Sequence, residues 1–444
     1  MMRITKFLPL LLLLASCASR RSASGPGYQV YQQNDQTVVV EQPVTTGEEK
    51  ALVAEEPVVN GRLLMSQVPP FPQGTWQAGK QQALDQLCQS SLFETSQLGL
   101  YVYDLTDNQP LYAVNAAQRM RPASCQKLVT AITALDFLGG DYQLHTEFRI
   151  KGKVAGGVLQ GDLVVVGGMD PLVTPANLLE AARNLRQKQG IQSIAGRIVY
   201  DCSMREDKPF GLGWCWDDDY GPLSALLVGG KDAFEKNWLV ALSKAGIKVN
   251  SKARNKGQGA GEQAKTVYTI SHGLDELLVP MMKESDNIYA ECLFYQTAAL
   301  SGKKGASYKD AGSKTEELLM KIGLDPGSYR IADGSGLSLY NYASAEMLAG
   351  LLIYAWRNEA VREHLLPSLP VAGVDGTLKK RMTDTEAYGI VKAKTGTVTG
   401  ISSLAGYIPL VNGHTLAFAI INQGISSASE GRAFQDDVCV ELCK

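Results

Sequence analysis

Ser124, Lys127, Ser285, Asn287 and Lys394 are the residues of this 444-residue chain whose types and order could do chemistry together. Ser124-Cys125-Gln126-Lys127 sets a hydroxyl and an amine three residues apart, on one face if the segment is helical. A lysine so placed can take the serine's proton and make it a nucleophile. Ser285-Asp286-Asn287 adds a second hydroxyl to relay that proton and an amide to hold a substrate amide. Lys394-Thr395-Gly396 adds a fixed positive charge for a substrate carboxylate. S-x-x-K and K-T-G each recur by chance, but in this order the three motifs supply an acyl-transfer site that works without histidine.

Acyl transfer also needs an oxyanion site. The exposed N–H groups at the start of a Ser124 helix favour a developing anion. The N–H groups of Ser124 and Thr397 are the candidate pair, and Gly396 lets substrate approach the backbone closely. Lys127 adjoins Leu128 on the face that should bury, and a desolvated ammonium has a lowered pKa and can serve as a base. Cys125 reads as a small packing residue. His145, His272, His364 and His414 are scattered, and no cysteine pair has metal-ligand spacing with a histidine nearby. Zinc chemistry and a Ser-His-Asp triad both lose support, and neither a metal nor a cofactor is expected.

The elements that must position these residues follow from periodicity and turn chemistry. A helix starts near Gln77, and Leu98–Asp104 and Pro110–Val114 read as a hairpin across Thr106-Asp107-Asn108. Leu128, Ala131, Ile132, Leu135 and Leu138 recur at helical spacing until Gly139-Gly140. From His145 to Ser271 the pattern changes to strands at 148–154, 158–166 and 197–200, with helices at 175–189 and 237–244 and a loop at 255–265. Helices then return around 274–281 and 288–299, a strand at 390–394 carries Lys394, and 402–410 with 414–421 alternates around Val411-Asn412-Gly413, a hairpin signal. A final helix has Phe434, Val438 and Leu442 at i, i+4 and i+8. One domain is therefore expected in two pieces, 76–145 and 272–444, around an α/β insert at 146–271.

The N-terminus reads as a targeting segment, residues 1–16, with Arg3 and Lys6 before the apolar run Leu8–Leu14. That run is too short to span a bilayer, which takes about 20 apolar residues. Leu14-Ala15-Ser16-Cys17 resembles a bacterial lipobox, which makes Cys17 the lipidated mature N-terminus and residues 17–75, rich in polar residues and prolines, a flexible tether. Membrane attachment is expected through the lipid alone, on the bacterial cell surface or in the periplasm. The formal charge of −2 argues against a nucleic-acid partner. Beyond Cys17 seven cysteines remain, an odd number, so at least one is a free thiol or pairs between chains.

The motif set as a whole resembles the class C low-molecular-mass penicillin-binding proteins, the D-Ala-D-Ala carboxypeptidase/endopeptidase family. Stretches carrying the likeness include Arg121-Pro122-Ala123-Ser124, Gly161-Asp162-Leu163, residues 285–291, Asp333-Gly334-Ser335-Gly336-Leu337-Ser338, residues 370–378 and Lys394-Thr395-Gly396-Thr397. The resemblance implies a serine β-lactamase/DD-peptidase-like split domain, an antiparallel sheet flanked by helices, with a large α/β insert. It implies a Ser124 acyl-enzyme, proton handling by Lys127 and Ser285, and peptide binding by Asn287, Lys394 and Thr395. Peptidoglycan stem peptides would be the substrates and β-lactams covalent inhibitors. Relatives carry an acidic residue beside aromatics that contacts the far amino group of a diaminopimelate side chain. Here Trp214-Cys215-Trp216-Asp217-Asp218-Asp219-Tyr220 fits, with Asp218 chosen, Trp216 and Tyr220 lining the cleft, and a Cys202–Cys215 disulfide bracing the run. A solvated acidic turn is the alternative for any one of these aspartates, and the Asp333–Ser338 loop reads as structural.

Three other readings use the same motifs. A class A β-lactamase needs a deacylating glutamate in an E-x-x-L-N context, and no such string lies between Asn287 and Lys394. A non-catalytic β-lactam-sensing or wall-binding lipoprotein would not need every motif residue intact. An esterase on this fold would use the same parts.

Overall fold

The computed structural model describes residues 28–33, 36–41, 68–215, 218, 221–249, 254–256 and 262–444. The chain parts into two compact units, Met1–Pro57 and Val58–Lys444. In the first, Tyr28–Gln33 pairs antiparallel with Gln36–Glu41. The targeting segment, Cys17 and most of the expected tether lie outside the described residues. Among the described residues no helix is long and apolar enough to cross a membrane.

The second unit is built on a five-stranded antiparallel sheet in the order Lys392–Val398, Ile401–Pro409, Thr415–Gln423, Gln97–Asp104, Gln109–Val114. Its centre joins segments more than 300 positions apart, with Leu416 opposite Asp104 and Gln423 opposite Gln97. Alternation decides which face each side chain serves. Leu416, Phe418 and Ile420 bury against the terminal helices Trp76–Cys88 and Ala428–Cys443. Ala417, Ala419 and Ile421 turn to the other core, where the small size of the two alanines lets helices approach.

That second layer centres on Gln126–Leu138, whose residues 126–135 are all buried. Helices Leu274–Lys283, Asn287–Ala299, Tyr308–Lys321, Ala345–Arg357 and Glu359–Ser368 complete it. The last three were not anticipated. Ala345–Arg357 is buried continuously from Ala345 to Ile353.

Residues 143–273 form a seven-stranded mixed sheet. Its main path runs Arg254–Lys256, Ile198–Asp201, Val158–Val166, Gln143–Ala155, Lys265–Gly273. The chain enters and leaves on adjacent antiparallel strands, Gln143 opposite Gly273 and His145 opposite Ser271. Helices Pro175–Gln187 and Phe234–Lys244 pack on it around Phe148 and Trp238. The loop expected at 255–265 is in part a strand, since Arg254–Lys256 pairs parallel with Ile198–Tyr200. The strand expected at 390–394 starts only at Lys392. The backbone just before it is bonded instead to the segment at 370–373, through Ala372 N to Val391 O and Gly389 N to Ala372 O.

Candidate active site

Ser124 sits in a single 3₁₀ turn, Ala123–Cys125, that feeds directly into the buried helix from Gln126. The turn is pinned where Ser403 Oγ donates to Pro122 O at 2.6 Å and Cys125 Sγ to Lys394 O at 3.2 Å, and the helix after it is held by Thr130 Oγ1 donating to Gly334 O at 2.7 Å. Gly396 backs onto it so closely that a Cβ there would come within 2.8 Å of Pro122 O and 2.9 Å of Cys125 N. The strand bearing Lys394 to Thr397 is the outer strand of its sheet, so the peptide edge with Thr397 lies beside the Ser124 turn. Cys125 is fully buried, and desolvation pushes its thiol up, as an inert packing residue requires.

Lys127 Nζ donates to three oxygens: Ser124 Oγ at 3.0 Å, Asn287 Oδ1 at 2.5 Å and Ser335 O at 2.9 Å. The side chain is 0% exposed. Desolvation lowers its pKa to about 8, against the opposing pull of the Asp333, Glu291 and Asp286 carboxylates. Of its three partners, the Asn287 oxygen and the Ser335 carbonyl can only accept. When the ammonium loses a proton, the lone pair therefore falls to the Ser124 hydroxyl, the one neighbour able to donate in return.

Lys394 Nζ donates to Ser285 Oγ at 2.8 Å and Thr395 O at 2.7 Å, which leaves one ammonium proton for a substrate. Its charge is not fixed, contrary to expectation: complete burial, together with repulsion from Lys127, lowers its pKa to about 7. Two buried ammonium groups in one site cannot both hold their protons cheaply. Ser285 meets Lys394 and holds a positive φ of 60° for a non-glycine residue, a strained position of the kind found at functional sites. Asp286 caps the following helix by accepting from Tyr289 N at 3.1 Å, which presents Asn287 at the first helical position. Thr395 Oγ1 donates to Thr377 Oγ1 at 2.8 Å, tying the segment at 370–378 to the site.

Four contributors were not picked out from the sequence: Ser335, Asp333, Glu291 and Thr377. The loop read as structural supplies a carbonyl to Lys127. Glu291 is 1% exposed, its Oε1 accepts from Gly334 N and Ser335 N, and desolvation raises its pKa to about 8. The residue strings were visible, but a backbone carbonyl carries no residue-type signal.

In the acidic run, Asp218 lies in a turn where its Oδ2 accepts from Cys215 N at 2.7 Å. Trp216 and Tyr220 lie outside the described residues. The Cys202–Cys215 bridge does not form: both are thiols, and no disulfide joins any of the described cysteines. The four histidines are each bonded to a nearby Ser or Asp away from the site, including His272 to Asp170 and His414 to Asp104.

Comparison with known proteins matches the chain to the D-Ala-D-Ala carboxypeptidase 3 (S13) family over residues 80–233 and 228–442. The D-alanyl-D-alanine carboxypeptidase DacB of Haemophilus influenzae is 27% identical, covering 75% of this chain and 87% of that protein. The D-alanyl-D-alanine carboxypeptidase of Actinomadura sp. strain R39 is 27% identical over 81% and 84% of the two chains. The crystal structure of penicillin binding protein 4 (dacB) from Haemophilus influenzae superposes with a TM-score of 0.72 at 26% identity, covering 81% of this chain and 98% of that one. The same protein has been crystallised with a β-lactam, and that structure superposes with a TM-score of 0.69 at 27% identity, covering 81% and 99%. The chain thus belongs to the D-Ala-D-Ala carboxypeptidase 3 (S13) family and is a serine-type D-Ala-D-Ala carboxypeptidase of the class C low-molecular-mass penicillin-binding kind.

Proposed function

We propose that Ser124 forms the acyl-enzyme with peptidoglycan stem peptides, with Lys127 as its base. The observation that carries this is the trio of acceptors around Lys127, which turns its lone pair to Ser124 when it deprotonates. Ser124 Oγ attacks the carbonyl between two D-alanines, or at a D-centred cross-link, and its proton passes to Lys127. The oxyanion is met by the N–H groups of Ser124 and Thr397. Collapse breaks the C–N bond, and the proton goes to the leaving amine through Lys127 or the Ser285 hydroxyl. Water then releases the acyl group by the reverse path. Asn287 keeps its side-chain N–H groups for a substrate carbonyl, and Lys394, Thr395 and Gly396 take the terminal carboxylate. A bound carboxylate beside Lys394 favours a proton there, and that charge in turn disfavours one on Lys127.

The reading extends to the rest of the chain. Residues 76–145 and 272–444 act as one split catalytic domain, and 146–271 is an insert that walls the cleft. Cys17 carries the lipid, the tether spans to the enzyme, and the site works outside the cytoplasm. β-Lactams acylate the same serine. The test is to digest protein labelled with a penicillin and locate the adduct by mass spectrometry. It should sit on the peptide containing Ser124, and an adduct on any other residue overturns the assignment.

Asp218 has one carboxylate oxygen committed to Cys215 N, which leaves the other for a ligand's ammonium. If it reads a diaminopimelate side chain, Asp218→Ala should lower kcat/KM on diaminopimelate-containing peptides about tenfold, the cost of one charge-assisted hydrogen bond. A small thioester should be hydrolysed at nearly the native rate. Equal losses on both substrates reject the role and leave Asp218 as a turn former.

A further inference from the structure

The loop between Asp201 and Phe234, which leaves the seven-stranded sheet, is seated directly on the turn that holds Lys127. Gly213, at φ +77°, lies so near residues 338–340 that a Cβ would come within 2.6 Å of the Tyr340 ring and 2.9 Å of Ser338 Oγ. Next to it, Trp214 Nε1 donates to Asp333 Oδ2 at 2.9 Å. Asp333 is 1% exposed. Its Oδ1 also accepts from Gly336 N at 2.8 Å and Asn341 Nδ2 at 2.6 Å, and its Oδ2 from Ser338 N at 2.7 Å and Ser335 Oγ at 3.3 Å. Those four donors belong to residues 335–341, so they shape the turn from within. Trp214 reaches in from another part of the chain and fixes where the turn stands.

The turn so fixed presents Ser335 O to Lys127 at 2.9 Å, while Glu291 holds the N–H groups of Gly334 and Ser335 from the opposite side. We propose that Trp214 is a positioning residue for Lys127, acting through Asp333 and the Ser335 carbonyl. The cleft loop and the acylating lysine are then one mechanical unit, and displacing the loop displaces the base. This rests on the reading of Lys127 as the proton acceptor.

Trp214→Phe keeps an aromatic ring beside Gly211, whose Cβ position lies within 3.0 Å of the indole, but removes the N–H. Asp333 Oδ2 loses a buried donor, and the turn is free to shift. The charged and titratable groups around Lys127 are Asp333, Glu291, Asp286, Cys125 and Lys394. A shifted turn carries the Ser335 carbonyl and the Asp333 carboxylate away from the ammonium, which removes attractions that favour protonated Lys127. The acid limb of acylation should therefore move to lower pH, while the plateau falls because the amine is misplaced. A role confined to folding of the loop would change how much protein labels but would not move that limb.

The experiment measures the second-order rate of acylation by a fluorescent penicillin, per labelled molecule, between about pH 5 and 10. It compares the native protein with Trp214→Phe, Asp333→Asn, the double variant and Lys127→Met. Trp214→Phe should show a plateau lower by about tenfold, the value of one hydrogen bond to a buried charge, and a limb at lower pH. The double variant should be no slower than Asp333→Asn, since both changes act through one carboxylate. A native plateau and limb in Trp214→Phe, or losses that multiply in the double variant, overturn the proposal. Should Trp214→Phe give no labelled protein, an unmoved limb in Asp333→Asn overturns it. Fast acylation in Lys127→Met would instead overturn the underlying assignment of the base.

Discussion

Lys127→Met should slow acylation by a fluorescent penicillin by about a thousandfold, within the range that a positioned general base contributes. Methionine fills a similar volume and carries no lone pair basic enough to accept the Ser124 proton. In the native protein the rate should climb with pH through about 8, where Lys127 gives up its proton. An ordinary lysine, near 10.5, would be almost wholly charged at pH 7, whereas one at about 8 is neutral in roughly a tenth of molecules. Burial thus creates the base. A native profile that is flat from pH 6 to 10, or a variant that acylates within about tenfold of native, would remove Lys127 from this role.

The same burial has a cost in stability, and its sign is fixed. The folded pKa lies below the unfolded one, so below about pH 8 both states bind the proton and the fold bears the full penalty of a buried charge. Between about pH 8 and 10.5 the folded state sheds its proton first and the penalty is relieved. A shift of this size corresponds to about 3 kcal/mol. Lys127→Met gives up three hydrogen bonds but also that penalty, so its Tm at pH 7 should equal or exceed the native value. Thermal unfolding at pH 7 and pH 10 checks this, because the native Tm should gain more than the variant's, in which Lys394 alone of the two buried lysines still contributes.

The chemistry was more legible in the sequence than the scaffold that supports it. Ser124, Lys127, Ser285, Asn287 and Lys394 carry functional groups at fixed motif spacing, and the fold brings all five together. The hairpins at 97–114 and 401–423 were readable from their turn residues, Thr106-Asp107-Asn108 and Val411-Asn412-Gly413, although the strands at 97–104, 401–409 and 415–423 bury both faces. The partner of Ser285 escaped the sequence. Its hydroxyl accepts from Lys394, a matter of which strand meets the Ser285 turn. Ser335 contributes a carbonyl, Asp333 a buried carboxylate held entirely by neutral donors, and Trp214 an N–H from a distant loop. None of these can be inferred from residue type before the turn at 333–341 is closed.

Gly336→Ala tests how rigidly that turn sets the nucleophile, and its effect should be large on two readouts. Gly336 has φ +84°, and a Cβ there would stand 1.8 Å from Ala123 O and 2.5 Å from Ala123 C. These are backbone atoms, so no side-chain rotation relieves the clash. Ala123 already holds φ +46° and immediately precedes Ser124. Relief must come from moving the Ser124 turn or the Asp333 turn, and either motion takes Ser124 Oγ away from Lys127 Nζ. Strain at positive φ and overpacking together should cost about 2–5 kcal/mol in denaturant unfolding. Acylation should fall by about a hundredfold, as expected when reacting groups move by about an ångström. Gly413→Ala is the matched control: φ is +90°, but nothing lies within 4 Å of its Cβ position, at a hairpin tip. It should cost only about 1–2 kcal/mol of backbone strain and leave acylation at the native rate. If the two alanines were equally harmless to acylation, the contact between Gly336 and Ala123 would not be what positions Ser124. If both slowed it alike, the loss would follow from stability rather than from geometry at the nucleophile.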